Sequence, residues 1–164
     1  MHRLQAPSTP SFCVLLLALM LRPCDAAEVG IAGPPELSHL GDRRDAGLAL
    51  IIDLRNPDEG IEEEAAAARA AGIRYVNLPV GADAADAAVV ARVGDLLDAQ
   101  AEGTGVLLHC ASGNRASEVW ARHLIERGAE PEAAIAAASA TGLSEKRAGY
   151  VRAAAAEAAT SELR

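Results

Sequence analysis

Basic residues, aromatic rings and cysteines are all scarce in this chain, and each shortage closes off a class of function. Lysine plus arginine number 15 against 23 aspartates and glutamates, for a formal charge of −8. A chain of that sign has no basic patch to collect phosphates along a backbone, which excludes a nucleic-acid partner. Only Phe12, Tyr75, Trp120 and Tyr150 are aromatic, so the core has to be packed from Leu, Val, Ile and Ala. No Cys-x-x-Cys or His-Glu-x-x-His occurs, and His39, His109 and His123 are scattered, so the sequence predicts neither a metal centre nor a cofactor. The apolar run at 12–21 is too short to span a membrane.

That run follows His2 and Arg3 and precedes the small residues Cys24, Ala26 and Ala27, the pattern of an export signal cleaved after Ala26. Leu21, three before Cys24, also permits a lipoprotein site, which Arg22 and Pro23 fit badly. The expectation is a signal peptide over 1–26 and one exported, periplasmic domain over 27–164. Cys13 and Cys24 leave with the signal, and Cys110 remains alone. A single cysteine cannot close an internal disulfide, so its thiol stays free in an oxidising compartment, either shielded or used.

What is present is an alternation of apolar strands and alanine-rich helices. Strands are expected at 28–32, 48–54, 73–80 and 106–110. Helices are expected at 35–45, 61–71, 87–100, 116–127, 131–140 and 144–162, with Gly47, Gly72, Gly128 and Gly142 where caps or breaks belong. Leu48 to Leu54 is nearly continuous in apolar residues, as in a strand covered on both faces. The fold class is therefore α/β, a small and mostly parallel sheet with helices on both faces. Glu62, Glu63 and Glu64 fall in a helix's first turn and read as a solvated face without chemistry. Ligands of such sheets bind at the C-terminal strand ends, which is where Arg55, Asp83 and Cys110 fall.

The stretch Val106-Leu107-Leu108-His109-Cys110-Ala111-Ser112-Gly113-Asn114-Arg115-Ala116-Ser117 organises the rest. A strand ends at Cys110, a tight loop over Ala111, Ser112, Gly113 and Asn114 follows, and Arg115 opens a helix. Loop N–H groups, a helix N-terminus and a guanidinium all favour negative charge, so they would turn the thiol into a thiolate and hold an oxyanion beside it. The plainer alternative is a buried strand-end cysteine.

Four blocks resemble the phosphatase-like domain of the beta-lactamase-hydrolase-like proteins, a bacterial branch near the dual-specificity phosphatases. They are Ile31-Ala32-Gly33-Pro34, Ile51-Ile52-Asp53-Leu54-Arg55, Gly72-Ile73-Arg74-Tyr75-Val76-Asn77-Leu78-Pro79-Val80 and His109-Cys110-Ala111-Ser112-Gly113-Asn114-Arg115. Together they extend over about 28–142. The resemblance implies a Cys-phosphatase-like fold, Cys110 as nucleophile and Arg115 as oxyanion clamp. It also places a hydroxyl, here Ser117, where phosphatases steady the leaving thiolate. Asp83, in the loop after the third strand, is the candidate general acid, with Asp86 as alternate and a helix N-cap as the plainer role of each. His109 would orient the loop or fill the core.

One departure bears on the reaction. Tyrosine and dual-specificity phosphatases place five residues between cysteine and arginine; here there are four, as in single-domain rhodaneses, and Asp53-Leu54-Arg55 also looks like a rhodanese strand. The Gly-His-Ile-Pro-Gly-Ala-like block of rhodaneses is missing. The expected function is an exported cysteine-dependent phosphatase-like hydrolase of a small phosphate ester. The alternatives are a rhodanese-like sulfurtransferase carrying a persulfide on Cys110 and a non-catalytic anion-binding module. With so few aromatic rings, none is placed to sandwich the phenyl group of a phosphotyrosine. Trp120 and Arg122 read as packing and surface residues.

Overall fold

Alternate residues of the second strand serve two different cores, and this organises the molecule. The computed structural model describes residues 27–162; the expected export signal lies outside them. The strands are β1 (Glu28–Ala32), β2 (Leu48–Asp53), β3 (Arg74–Asn77) and β4 (Gly105–His109). All pair in parallel in the order β1-β4-β2-β3. The helices are α1 (Leu40–Asp45), α2 (Ile61–Ala70), α3 (Ala87–Asp98), α4 (Asn114–Glu126), α5 (Pro131–Ser139) and α6 (Glu145–Glu162). The expected α/β class, with a parallel sheet between helices, is the one observed.

On one face, Leu50, Ile52, Leu54, Val106, Leu108 and Cys110 pack against Val90, Val93 and Leu96 of α3 and Val119 of α4. On the other, Ile51 and Leu107 pack against Leu40 of α1 and Ala68 of α2. Period-two alternation with both faces apolar is why the strand sequences read as unbroken hydrophobic runs. A third cluster joins Ala121 of α4 to Ala134, Ile135 and Ala138 of α5 and to Ala148 and Val151 of α6. The alanines there act by smallness, letting helix backbones approach.

Several boundaries differ from expectation. The helix expected at 35–45 is a 3-10 turn (Leu37–His39) running into α1. The strand expected at 73–80 closes at Asn77. Beyond it Leu78 N still donates to Asp53 O (2.9 Å) and Val80 N to Leu54 O (3.0 Å), but Pro79 between them has no N–H to continue the ladder. Helix α4 starts two residues early because Gly113, at φ 85°, makes the turn into it. Gly105 is required by close approach: a Cβ there would meet Gly47 O at 3.0 Å.

Candidate active site

The end of β4 delivers Cys110 into the fold's larger core, with no exposed surface, while Ala111 and Ser112 immediately after it lie exposed. Three glycine contacts shape the loop. A Cβ on Gly113 would meet Thr141 O at 3.2 Å, one on Gly33 would meet Ala111 O at 3.5 Å, and one on Gly142 would meet Ser112 O at 3.8 Å. The loop thus lies between the end of β1 and the α5–α6 connection. Asn114 accepts from Ser144 N (2.9 Å), tying the loop to the start of α6. Ser117 donates to Thr141 O (3.0 Å) and contacts Thr141 Oγ1 at 2.9 Å, so its hydroxyl is engaged by that connection. No side chain caps α4, which leaves its first N–H groups facing the loop.

Arg115 is held in one orientation. Nη1 donates to Glu59 Oε2 (2.7 Å) and Val80 O (2.9 Å), and Nη2 to Glu59 Oε1 (2.6 Å). The guanidinium also lies within reach of the Cys110 side chain. Glu59 itself is fixed by Asn56, whose N–H donates to Oε2 (2.8 Å) in a capping box around the 3-10 turn Pro57–Glu59. The fork–fork contact with Arg115 holds the Glu59 carboxyl down at about 2. The hydrogen bonds to Glu59 hold the guanidinium above its ordinary value, against burial, which pulls it down, and with a smaller contribution from Cys110.

Beneath the loop, on the α2 side, is a buried charge cluster. Arg55 Nη2 donates to Asp53 Oδ2 (2.7 Å) and Glu64 Oε2 (2.5 Å), and its Nε contacts both Asp53 oxygens at 3.1 and 3.0 Å. The Tyr75 hydroxyl donates to Asp53 Oδ2 (2.5 Å). Burial pushes the Asp53 carboxyl up, but the hydrogen bonds from Arg55 and Tyr75 outweigh it and hold it below the usual range. His109 Nε2 lies 2.8 Å from Glu64 Oε1 and 3.8 Å from Asp53 Oδ1, and among the described residues neither Nε2 nor Glu64 Oε1 makes a regular hydrogen bond. Donor atoms of Asp53, Glu64 and His109 lie within 4.8 Å of one another, a spacing a metal ion could use. Arg55 already stands between the two carboxylates, and a guanidinium fills the cation's place.

The helix face that read as solvated therefore needs correcting at one position. Glu62 and Glu63 are exposed, but Glu64 is 3 % exposed. Its signal was its phase: Ile61, Glu64, Ala65 and Ala68 share the inward stripe of α2. Asp86 caps α3, accepting from Ala88 N at 2.8 Å, which is the plainer of its two roles. Asp83 is exposed, and its carboxylate makes no hydrogen bond among the described residues. Trp120 packs against the larger core, and Arg122 donates to Ala85 O. Sequence reasoning missed Glu59, Glu64, Glu118 and Arg147. Asn56-x-x-Glu59 announces only a cap, and nothing local announces the last two.

The model of the phosphatase-like domain of beta-lactamase hydrolase-like proteins matches residues 28–129, well over half of the chain. Among proteins of curated function, none matches in sequence. A candidate phosphatase of Shewanella putrefaciens CN-32 is 25% identical at a TM-score of 0.53, over 62% of this chain and 65% of that one. Another, from Neisseria meningitidis Z2491, is 22% identical at a TM-score of 0.62, over 76% of this chain and 91% of that one. TpbA of P. aeruginosa, solved in complex with pTyr, is 22% identical at a TM-score of 0.62, over 76% of this chain and 78% of that one. The last two share the fold with this chain, with the Cys110 loop at the C-terminal edge of the parallel sheet.

Proposed function

Starting from a chain that belongs to the family of beta-lactamase hydrolase-like phosphatase domains, we propose that it is a cysteine-dependent phosphatase of small phosphate esters. One observation carries this reading: Cys110 follows β4 directly, in a loop closed by Arg115, over the uncapped N-terminus of α4. The Cys110 thiolate attacks phosphorus, an S–P bond forms, and the ester P–O bond breaks. Loop N–H groups and the guanidinium of Arg115 hold the equatorial oxygens, and Glu59 keeps that guanidinium aimed. Asp83 supplies the proton that the departing oxygen takes. Water then gives a proton back to Asp83 and attacks the cysteinyl-phosphate, the S–P bond breaks, phosphate leaves and the thiolate returns. Export follows from the 1–26 pattern, and the mass of the secreted form would show cleavage after Ala26.

The four-residue spacing from Cys110 to Arg115 favours a second reading, sulfur transfer. There Cys110 takes a sulfane sulfur from thiosulfate, releasing sulfite, and passes it to cyanide; no general acid takes part. A paired assay on residues 27–164 under reducing conditions separates the readings, with an aryl phosphate in one arm and thiosulfate plus cyanide in the other. Phosphate release lost in Cys110→Ser supports the phosphatase, and full turnover by that variant sinks the nucleophile. Thiocyanate instead would install the second reading, and silence in both arms an anion-binding module.

A further inference from the structure

Loops remote from the site close through their own backbone: Thr104 N donates to Ala101 O (3.1 Å) and Ala129 N to Leu124 O (3.0 Å). The segment at 80–85, which carries Asp83, is built otherwise. Its backbone groups are gripped by side chains from distant helices. Arg115 donates to Val80 O (2.9 Å) and Arg122 to Ala85 O. Arg147 of α6 donates to Gly81 O (2.9 Å) and Asp83 O (3.3 Å). Ala85 N donates to Glu118 Oε1 (2.7 Å), and the other oxygen of Glu118 takes Nη1 of Arg147. Glu118 has no exposed surface and Arg147 is 6 % exposed. Gly81, Ala82 and Ala84 have no side chain able to anchor the loop, and the Asp83 carboxylate is left free.

We propose that Arg147, seated on Glu118, is a positioning residue that holds Asp83 where its carboxyl meets the leaving oxygen. This rests on the phosphatase reading above. It goes further in assigning a role to α6, which lies outside the matched residues 28–129. If its only task were to join α4 to α6, an apolar pair would serve as well, since buried ion pairs add little net stability. Water could satisfy the carbonyls of an exposed loop. A desolvated guanidinium that divides its donors between a buried carboxylate and two consecutive-turn carbonyls instead gives the loop one shape. Preorganisation of that kind is what proton transfer to a leaving group needs.

The test uses the full chain and two esters, 4-nitrophenyl phosphate, whose leaving group needs little protonation, and phenyl phosphate, whose leaving group needs much. Arg147→Lys keeps a cation for Glu118 but loses the two-nitrogen fork that reaches the loop. It is expected to lower kcat/KM for phenyl phosphate by about tenfold or more while changing 4-nitrophenyl phosphate only a few-fold. Asp83→Asn should show the same split, and the double variant should be no worse than Asp83→Asn alone. The double replacement Arg147→Met with Glu118→Met removes the pair, leaving Arg122, 4.0 Å from Glu118, its bond to Ala85 O, and should show the split too. Equal losses on both esters, or effects of Arg147→Lys and Asp83→Asn that multiply, overturn the proposal. A split in Asp83→Asn but not in Arg147→Lys also overturns it and leaves the phosphatase reading standing. No split in Asp83→Asn removes that residue as the acid, and the proposal with it; no Cys110-dependent phosphate release removes both.

Discussion

Two buried ion clusters use the same chemistry to different ends. Asp53, Arg55, Glu64 and His109 lie on the α2 side, and Arg55 bonds an aspartate only two residues away. Its donors go to buried carboxylates, so it joins sheet to helix. Glu118 and Arg147 lie 29 residues apart on α4 and α6, and part of that arginine's fork goes to loop carbonyls at the surface. The first cluster behaves as packing and should be measured in stability. The second should be measured in turnover.

Removing the cation from the first cluster breaks the comparison most severely. Arg55→Met leaves Asp53 and Glu64 buried with no guanidinium, and should cost about 3–5 kcal/mol of unfolding free energy in urea. A loss no greater than that of Arg147→Lys would erase the distinction. Glu64→Gln keeps the shape but empties one acceptor role, and should cost about 1–3 kcal/mol by the same measurement.

Acid sharpens the contrast further. Glu59 and Asp53 both have folded-state values below their ordinary ones, so the stability they contribute is complete above the unfolded values. It is lost as pH falls through the folded ones. For Glu59 the window runs from about 4.5 down to about 2. Urea midpoints should fall across that window, and Glu59→Gln should flatten part of the decline. The smallest effect belongs to the surface: Arg152 bonds Glu132 (2.8 Å) and Glu145 (2.9 Å) in the open, and Arg152→Ala should leave the melting temperature unchanged.

Periodicity and turn chemistry made the sheet legible, because strands covered on both faces and helices ended by glycine leave local marks. The Cys110 loop was legible for the same reason, its glycine and arginine being fixed by spacing. Glu59, Glu64, Glu118 and Arg147 were not. Each is charged and each finds its partner through tertiary structure, Arg115 lying 56 residues beyond Glu59 and Arg147 29 beyond Glu118. A glutamate in an alanine-rich helix looks alike in sequence whether it faces water or a buried arginine. Phase alone separated Glu64 from Glu62 and Glu63, and for α4, buried nearly all round, even phase says little.

The fork between Glu59 and Arg115 also governs how an anion arrives. With its one loop arginine neutralised by a carboxylate, a molecule of formal charge −8 offers a phosphate ester no long-range attraction. Diffusive encounter is uphill until the ester reaches the loop amides. Dissolved salt shortens the range of that repulsion to roughly 10 Å at 0.1 M. Under the phosphatase reading, kcat/KM should therefore rise with ionic strength, opposite to the behaviour of enzymes that steer their substrates in.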